Sequence, residues 1–173
     1  MSEAPLILTL TLDSASQQYF DNLRKAHFPP ERNYLDAHLT LFHHLLQGEK
    51  AITEALENLT NHHPQVQLQV TGLRSIGNGV AFSMESAELQ QMHKQLQTTW
   101  QPWLIPQDRQ KLWPHITVQN KVNADVAKQL KNKLEQEFIP FEITGMGLSL
   151  FEYLGGPWKF VQGFEFAGTN LSV

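Results

Sequence analysis

The sequence predicts an α+β fold built as two similar halves. Three observations predict it. Strand-like alternation and helix-like stripes succeed one another along all 173 residues. The order strand, helix, strand, helix, strand occurs twice. A short histidine–threonine motif stands at the same place in both runs. The spacings agree as well: 32 residues separate Leu6 from His38 and 35 separate Val80 from His115, while 28 separate His38 from Val66 and 26 separate His115 from Phe141. Such recurrence points to a degenerate duplication. We expect one domain, residues 1–173, made of two pseudo-repeated lobes.

Each element has its local reason. Leu6–Leu12 alternates apolar and threonine residues, as a half-buried strand does. Asp13 or Ser14 can cap a helix whose stripe is Ala15, Tyr19, Leu23 and Ala26, and Pro29-Pro30 stops it. A strand is expected over Ala37–Leu45. Ile52, Ala55, Leu56 and Leu59 then form one helical face. Val66–Ser75 and Val80–Met84 read as a hairpin around Gly77-Asn78-Gly79, where glycine supplies the positive φ of a tight turn. Ser86 can cap the next helix, whose face is Leu89, Met92, Leu96 and Trp100. A loop bounded by Pro102 and Pro106 leads to a strand over His115–Val118. Asn123 can cap a helix carrying Val126, Leu130 and Leu134. Two closing strands, Phe141–Phe151 and Trp158–Phe166, flank Gly155-Gly156-Pro157.

Composition narrows the function classes. Hydrophobic residues make up 41% and charged ones 17%, which suits a packed core and argues against disorder. The net charge of −4 argues against a surface that grips long nucleic acid and favours a small or terminal ligand. Cysteine is absent, which excludes disulfides, cysteine-ligated metals and thiol nucleophiles. The segment MSEAPLILTLTLD has no basic stretch before its apolar run and reads as a strand, not a signal peptide. No window approaches a membrane span. A cytoplasmic monomer without membrane contact is expected.

The motif copies are His38-Leu39-Thr40-Leu41 and His115-Ile116-Thr117-Val118. Strand side chains alternate faces, so His38 and Thr40 share one face, as do His115 and Thr117. The apolar partners can dock on helices, leaving the His/Thr faces to line something polar.

Two H-x-T-x motifs in such a chain resemble the 2H phosphoesterase superfamily, which includes 2′-5′ RNA ligase-like proteins and 2′,3′-cyclic phosphodiesterases. The stretches AHLTLFHHL, DRQKLWPHITVQNKV and SLFEYLGGPWKFV carry the same likeness. The resemblance implies a bilobal fold: two antiparallel sheets form a V-shaped cleft, with the histidine strands central and helices outside. It also implies hydrolysis of a 2′,3′-cyclic phosphate, or a related cyclic phosphodiester of a nucleotide or RNA end. His38, Thr40, His115 and Thr117 would be catalytic, and neither metal nor cofactor would be needed. Alternatives are 2′-5′ RNA ligation, a non-catalytic module that binds nucleotides or RNA ends, and a metal-dependent protein using the histidine pairs.

The chemistry suits the residue types. Opening a cyclic phosphodiester needs one proton removed and one delivered, and imidazole does both near neutrality. Threonine hydroxyls can donate to the non-bridging oxygens. Further candidates line up less directly. Gln119 lies two residues past Thr117 and shares its face by alternation. By the same count His44 shares the face of His38, and His43 points away. Arg109 and Lys159 are candidates for phosphate, or else solvated surface charges. Tyr153 and Trp158 flank the Gly-Gly-Pro turn and can stack on a base, or else pack across strands. Several relatives of the ligase type carry a basic residue just past the motif core; here Phe42, His43, Gln119 and Asn120 stand there, which weakens a ligase reading. His27, His62, His63 and His93 read as structural or surface residues, and no H-E-x-x-H, G-x-S-x-G or P-loop pattern is present.

Overall fold

The computed structural model describes residues 3–167. Its seven strands and four helices alternate as β1 (Leu6–Leu12), α1 (Ser14–His27), β2 (Leu39–Leu45), α2 (Lys50–Asn61), β3 (Val66–Ser75), β4 (Val80–Glu85), α3 (Ala87–Trp100), β5 (His115–Gln119), α4 (Ala124–Glu137), β6 (Phe141–Tyr153) and β7 (Trp158–Glu165). The caps are those the sequence offers. Asp13 accepts from Ser16 N at 2.9 Å, Ser86 from Leu89 N at 3.2 Å and Asn123 from Val126 N at 2.9 Å. Short 3₁₀ turns at Pro30–Arg32, Gln101–Trp103 and Pro106–Arg109 occupy stretches that read as loop.

The strands are antiparallel in the order β2-β1-β6-β3-β4-β5, with β7 also on β6. The two expected half-sheets are joined rather than separate, because β6 serves both. Residues 141–145 of β6 pair with β3, whereas 147–153 pair with β7 and 145–152 with β1. The motif strands β2 and β5 lie at opposite ends of this order, yet they contact each other. The sheet therefore curls until its ends meet. Gly79 permits one close approach: a Cβ there would lie 1.9 Å from the carbonyl oxygen of Gln119.

Helix faces follow the apolar stripes, with two shifts. On α1 the buried residues are Phe20 and Arg24 with Leu23 beside them, while Tyr19 is 45% exposed. Phe20, without a hydroxyl to keep wet, takes the core place, and Tyr19 meets the same Phe82 and Phe141 rings from the rim. On α4 Ala127 and Leu130 are buried and Val126 faces solvent. The faces of α2 and α3 are as the stripes indicate, with Ile52 and Leu56 buried on one and Leu89, Met92, Leu96 and Trp100 on the other. Among the described residues no helix is long and apolar enough to cross a membrane.

Candidate active site

The two motif histidines are held in the same way. His38 stands just before β2, and its Nδ1 lies 2.8 Å from the carbonyl oxygen of Asp36. His115 opens β5, and its Nδ1 lies 2.8 Å from the carbonyl oxygen of Trp113. A carbonyl only accepts, so both Nδ1 atoms carry the proton. Each neutral ring then keeps its lone pair on Nε2. Each ring also packs on a tryptophan. Trp158 meets His38 at 4.6 Å between centroids, tilted by 51°, and Trp113 stacks on His115 at 3.9 Å and 14°. Trp113 is anchored in turn by Nε1 donating to Ser83 Oγ at 3.0 Å.

Electrostatics keep both rings neutral at rest. Burial pushes His38 down to about 4; the Asp36 carbonyl opposes the fall, and the charges of Arg24, His115 and His43 deepen it. Burial also lowers His115, again against the carbonyl it donates to and with His43 adding.

His38 lines a cavity of about 270 Å³ with Thr9, Thr11, Tyr34, Ser149 and Trp158. Its wall is hydroxyl-rich, and Thr11 and Ser149 share a hydrogen bond of 2.6 Å. His115 lines a second cavity of about 330 Å³ with Thr40, His43, Asp108, Lys111 and Trp113. Thr117 is half-buried on β5, and its carbonyl accepts from Arg24.

A β-bulge sits at the same position in both motifs. Between Leu8↔Phe42 and Thr9↔Thr40, β2 carries the extra residue Leu41; between Val80↔Gln119 and Ala81↔Thr117, β5 carries the extra residue Val118. Each bulge falls three residues past its histidine and reverses the alternation beyond it. Two expectations are corrected as a result. His43, not His44, reaches the cavity of Thr40 and His115. Gln119 turns inward like Phe42 and is 3% exposed, with no hydrogen-bond partner for its Oε1 among the described residues.

The other candidates divide. Trp158 joins His38. Tyr153, its register partner, is 41% exposed and stands outside that cavity. Arg109 also stands apart, because the Pro106–Arg109 turn carries it to a groove against α3, where it donates to the Gln101 carbonyl at 3.4 Å. Lys111, two residues later, faces the His115 cavity instead. Lys159 is exposed on β7. His93, read as structural, is 3% exposed, and its Nε2 bonds to the carbonyl of the bulge residue Leu41 at 2.9 Å. The sequence reading passed over Asp108, whose side chain is 1% exposed. It accepts from the backbone N–H of His43 at 2.8 Å and of His44 at 2.9 Å, and lies 3.0 Å from His43 Nδ1. Burial would raise its pKa, but these hydrogen bonds outweigh it and hold the carboxyl below its ordinary range. Among the described residues, no group of three or more His, Asp or Glu is placed to hold a metal ion.

A family model described as the 2′-5′ RNA ligase superfamily matches residues 12–157. No curated protein matches the chain. Among solved structures, TT0787 of Thermus thermophilus is similar over 95% of this chain and 98% of its own, with a TM-score of 0.66 and 15% identity. A protein described as a phosphoesterase is similar over 95% and 99%, with a TM-score of 0.60 and 17% identity. E. coli LigT complexed with NADP+ is similar over 96% and 99%, with a TM-score of 0.60 and 17% identity. LigT is also known in complex with 3′-AMP and with phosphate. At these identities the likeness is one of fold.

Proposed function

Because the chain belongs to the 2′-5′ RNA ligase superfamily, we propose that it is a metal-independent phosphoesterase that hydrolyses a cyclic phosphodiester of the 2′,3′-cyclic nucleotide kind. One observation carries the reading: two imidazoles on strands that contact each other, each tied at Nδ1 to the main-chain carbonyl two residues before it, each packed on a tryptophan and each with Nε2 left for chemistry. The complexes of LigT with 3′-AMP and phosphate support a ligand of this class.

We assign the base to His38, the ring that burial pushes further from the charged form and so the less suited of the two to arrive as the acid. It takes a proton from water as the water oxygen bonds to phosphorus. His115, protonated when the anionic substrate is bound, gives its Nε2 proton to the departing ribose oxygen as the P–O bond breaks. The product is a ribose phosphate monoester, and the protons redistribute through solvent. Thr40 and Thr117 supply hydroxyl donors for the non-bridging oxygens. Trp158 beside His38 offers an aromatic face to the nucleobase.

The test is turnover of 2′,3′-cyclic nucleotides in EDTA. We expect His38→Ala and His115→Ala each to lower kcat by about 10²–10⁴-fold, the range of positioned acid–base groups. Full activity in either variant would remove the proposal.

A further inference from the structure

We propose that His43, oriented by the buried carboxylate of Asp108, is a substrate-binding residue that grips a non-bridging oxygen of the phosphate from the side of His115. The inference rests on the phosphoesterase reading and adds a third imidazole to its site.

Three observations carry it. First, the bulge at Leu41 returns His43 to the cavity that Thr40 and His115 line. Second, the ring is aimed. Asp108 Oδ1 accepts from the His43 backbone N–H and also faces its Nδ1 at 3.0 Å, fixing the side chain at two points. Asp108 is itself locked, because its second oxygen accepts from His44 N. The carboxylate stays ionised, so Nδ1 must be the donor and Nε2 is the atom left for a ligand. Third, the cavity is sparing of fixed positive charge. Among the described residues Lys111 is the only lysine or arginine lining it, and Asp108 offsets that charge. A ring that meets an anion at Nε2 keeps Asp108 at Nδ1, so the two partners sit at opposite nitrogens of one imidazole. Phe42 stands just past the motif and points inward, and His43 is the next side chain on the face of the cavity.

The side chain of His43 is 44% exposed, so truncating it removes a ligand contact without opening the core. The test compares wild type with His43→Ala in two measurements. One is the affinity for inorganic phosphate by calorimetry; the other is kcat and KM for 2′,3′-cyclic AMP. We expect the phosphate Kd and the KM to rise about tenfold, the size of one charge-assisted hydrogen bond. The fall in kcat should be smaller than the rise in KM, and Tm should stay within about a degree, as for an exposed substitution. His43→Lys, which restores a donor but cannot be aimed by Asp108, should recover part of the phosphate affinity. If the wild type binds phosphate but turns over no cyclic nucleotide, the reaction assignment fails, while a weakened Kd in His43→Ala still supports the site. Phosphate affinity and KM within twofold of wild type would overturn the inference, as would a wild type that does not bind phosphate.

Discussion

Arg24 on α1 donates from Nη1 to the carbonyl of Thr117 on β5 at 3.0 Å, a bond from the first half of the molecule to the second motif. Its Nε holds Asn33 at 3.1 Å, and its guanidinium lies 4.1 Å over the Phe28 ring. The mirror bond runs the other way, from His93 on α3 to Leu41 on β2. Each motif strand is thus tied to a helix of the opposite half by a buried base. Arg24 also projects charge onto His38, and Asp36 lies on the same segment.

Replacing Arg24 therefore has two separable effects. Arg24→Met removes the charge, so the pKa of His38 rises and the acid limb of kcat/KM moves to higher pH. Arg24→Lys keeps the charge and loses the forked bonding, so kcat falls about tenfold while the limb stays in place. A pH–rate profile of both variants decides the matter, and an unmoved limb in Arg24→Met contradicts the account.

His38 makes the fold sensitive to mild acid. Its pKa is about 4 when folded and 6.5 when unfolded, so between those values the unfolded chain binds the proton the folded chain refuses. Stability is full above pH 6.5 and is lost progressively as pH falls toward 4. His38→Gln removes that loss. Relative to wild type it should gain on the order of 1 kcal/mol between about pH 7 and pH 4, with solvent screening reducing the full linkage value. Thermal melts across this range measure it; a constant difference between the two proteins would refute it.

Trp113 holds His115 flat against its face and is itself 37% exposed. Trp113→Ala should lower Tm, because most of the indole is covered, and lower kcat about tenfold with KM little changed through a loosened imidazole, because small misplacements of a proton carrier are costly. Equal kcat in the two proteins would show that the stacking does not position the ring.

Asp108→Ala removes the acceptor for the backbone N–H groups of His43 and His44. The expected cost is about 1–3 kcal/mol, read as the change in urea midpoint. The depressed pKa of Asp108 contributes stability above the ordinary carboxylate range, and that contribution is lost as pH falls through its folded value. The variant should therefore lose less stability than wild type on acidification below about pH 4.

Much of this was legible in the sequence. The caps Asp13, Ser86 and Asn123 carry side chains with one obvious use, and every strand and helix lies close to its expected place. Strand alternation set the expectation that His38 shares a face with Thr40 and His115 with Thr117; the structure puts His38 on one cavity and Thr40 with His115 on another. What alternation could not supply was its own interruption. Leu41-Phe42 is a pair of adjacent apolar residues, and that break in period was the available sign of a bulge. At Val118-Gln119 the polar side chain conceals the same break. Arg109 was misplaced because a single 3₁₀ turn redirects a side chain without leaving a pattern in so short a stretch. Asp108 escaped notice because its partners are main-chain groups 64 and 65 residues away, set by the tertiary fold alone.

A jaw that closes on its ligand needs a pivot, and the ties between these halves oppose one. One long strand, β6, is common to both, and Arg24 and His93 brace the two motif strands from opposite sides. With both motif strands held in place before a ligand arrives, binding is spared part of the entropy of ordering them.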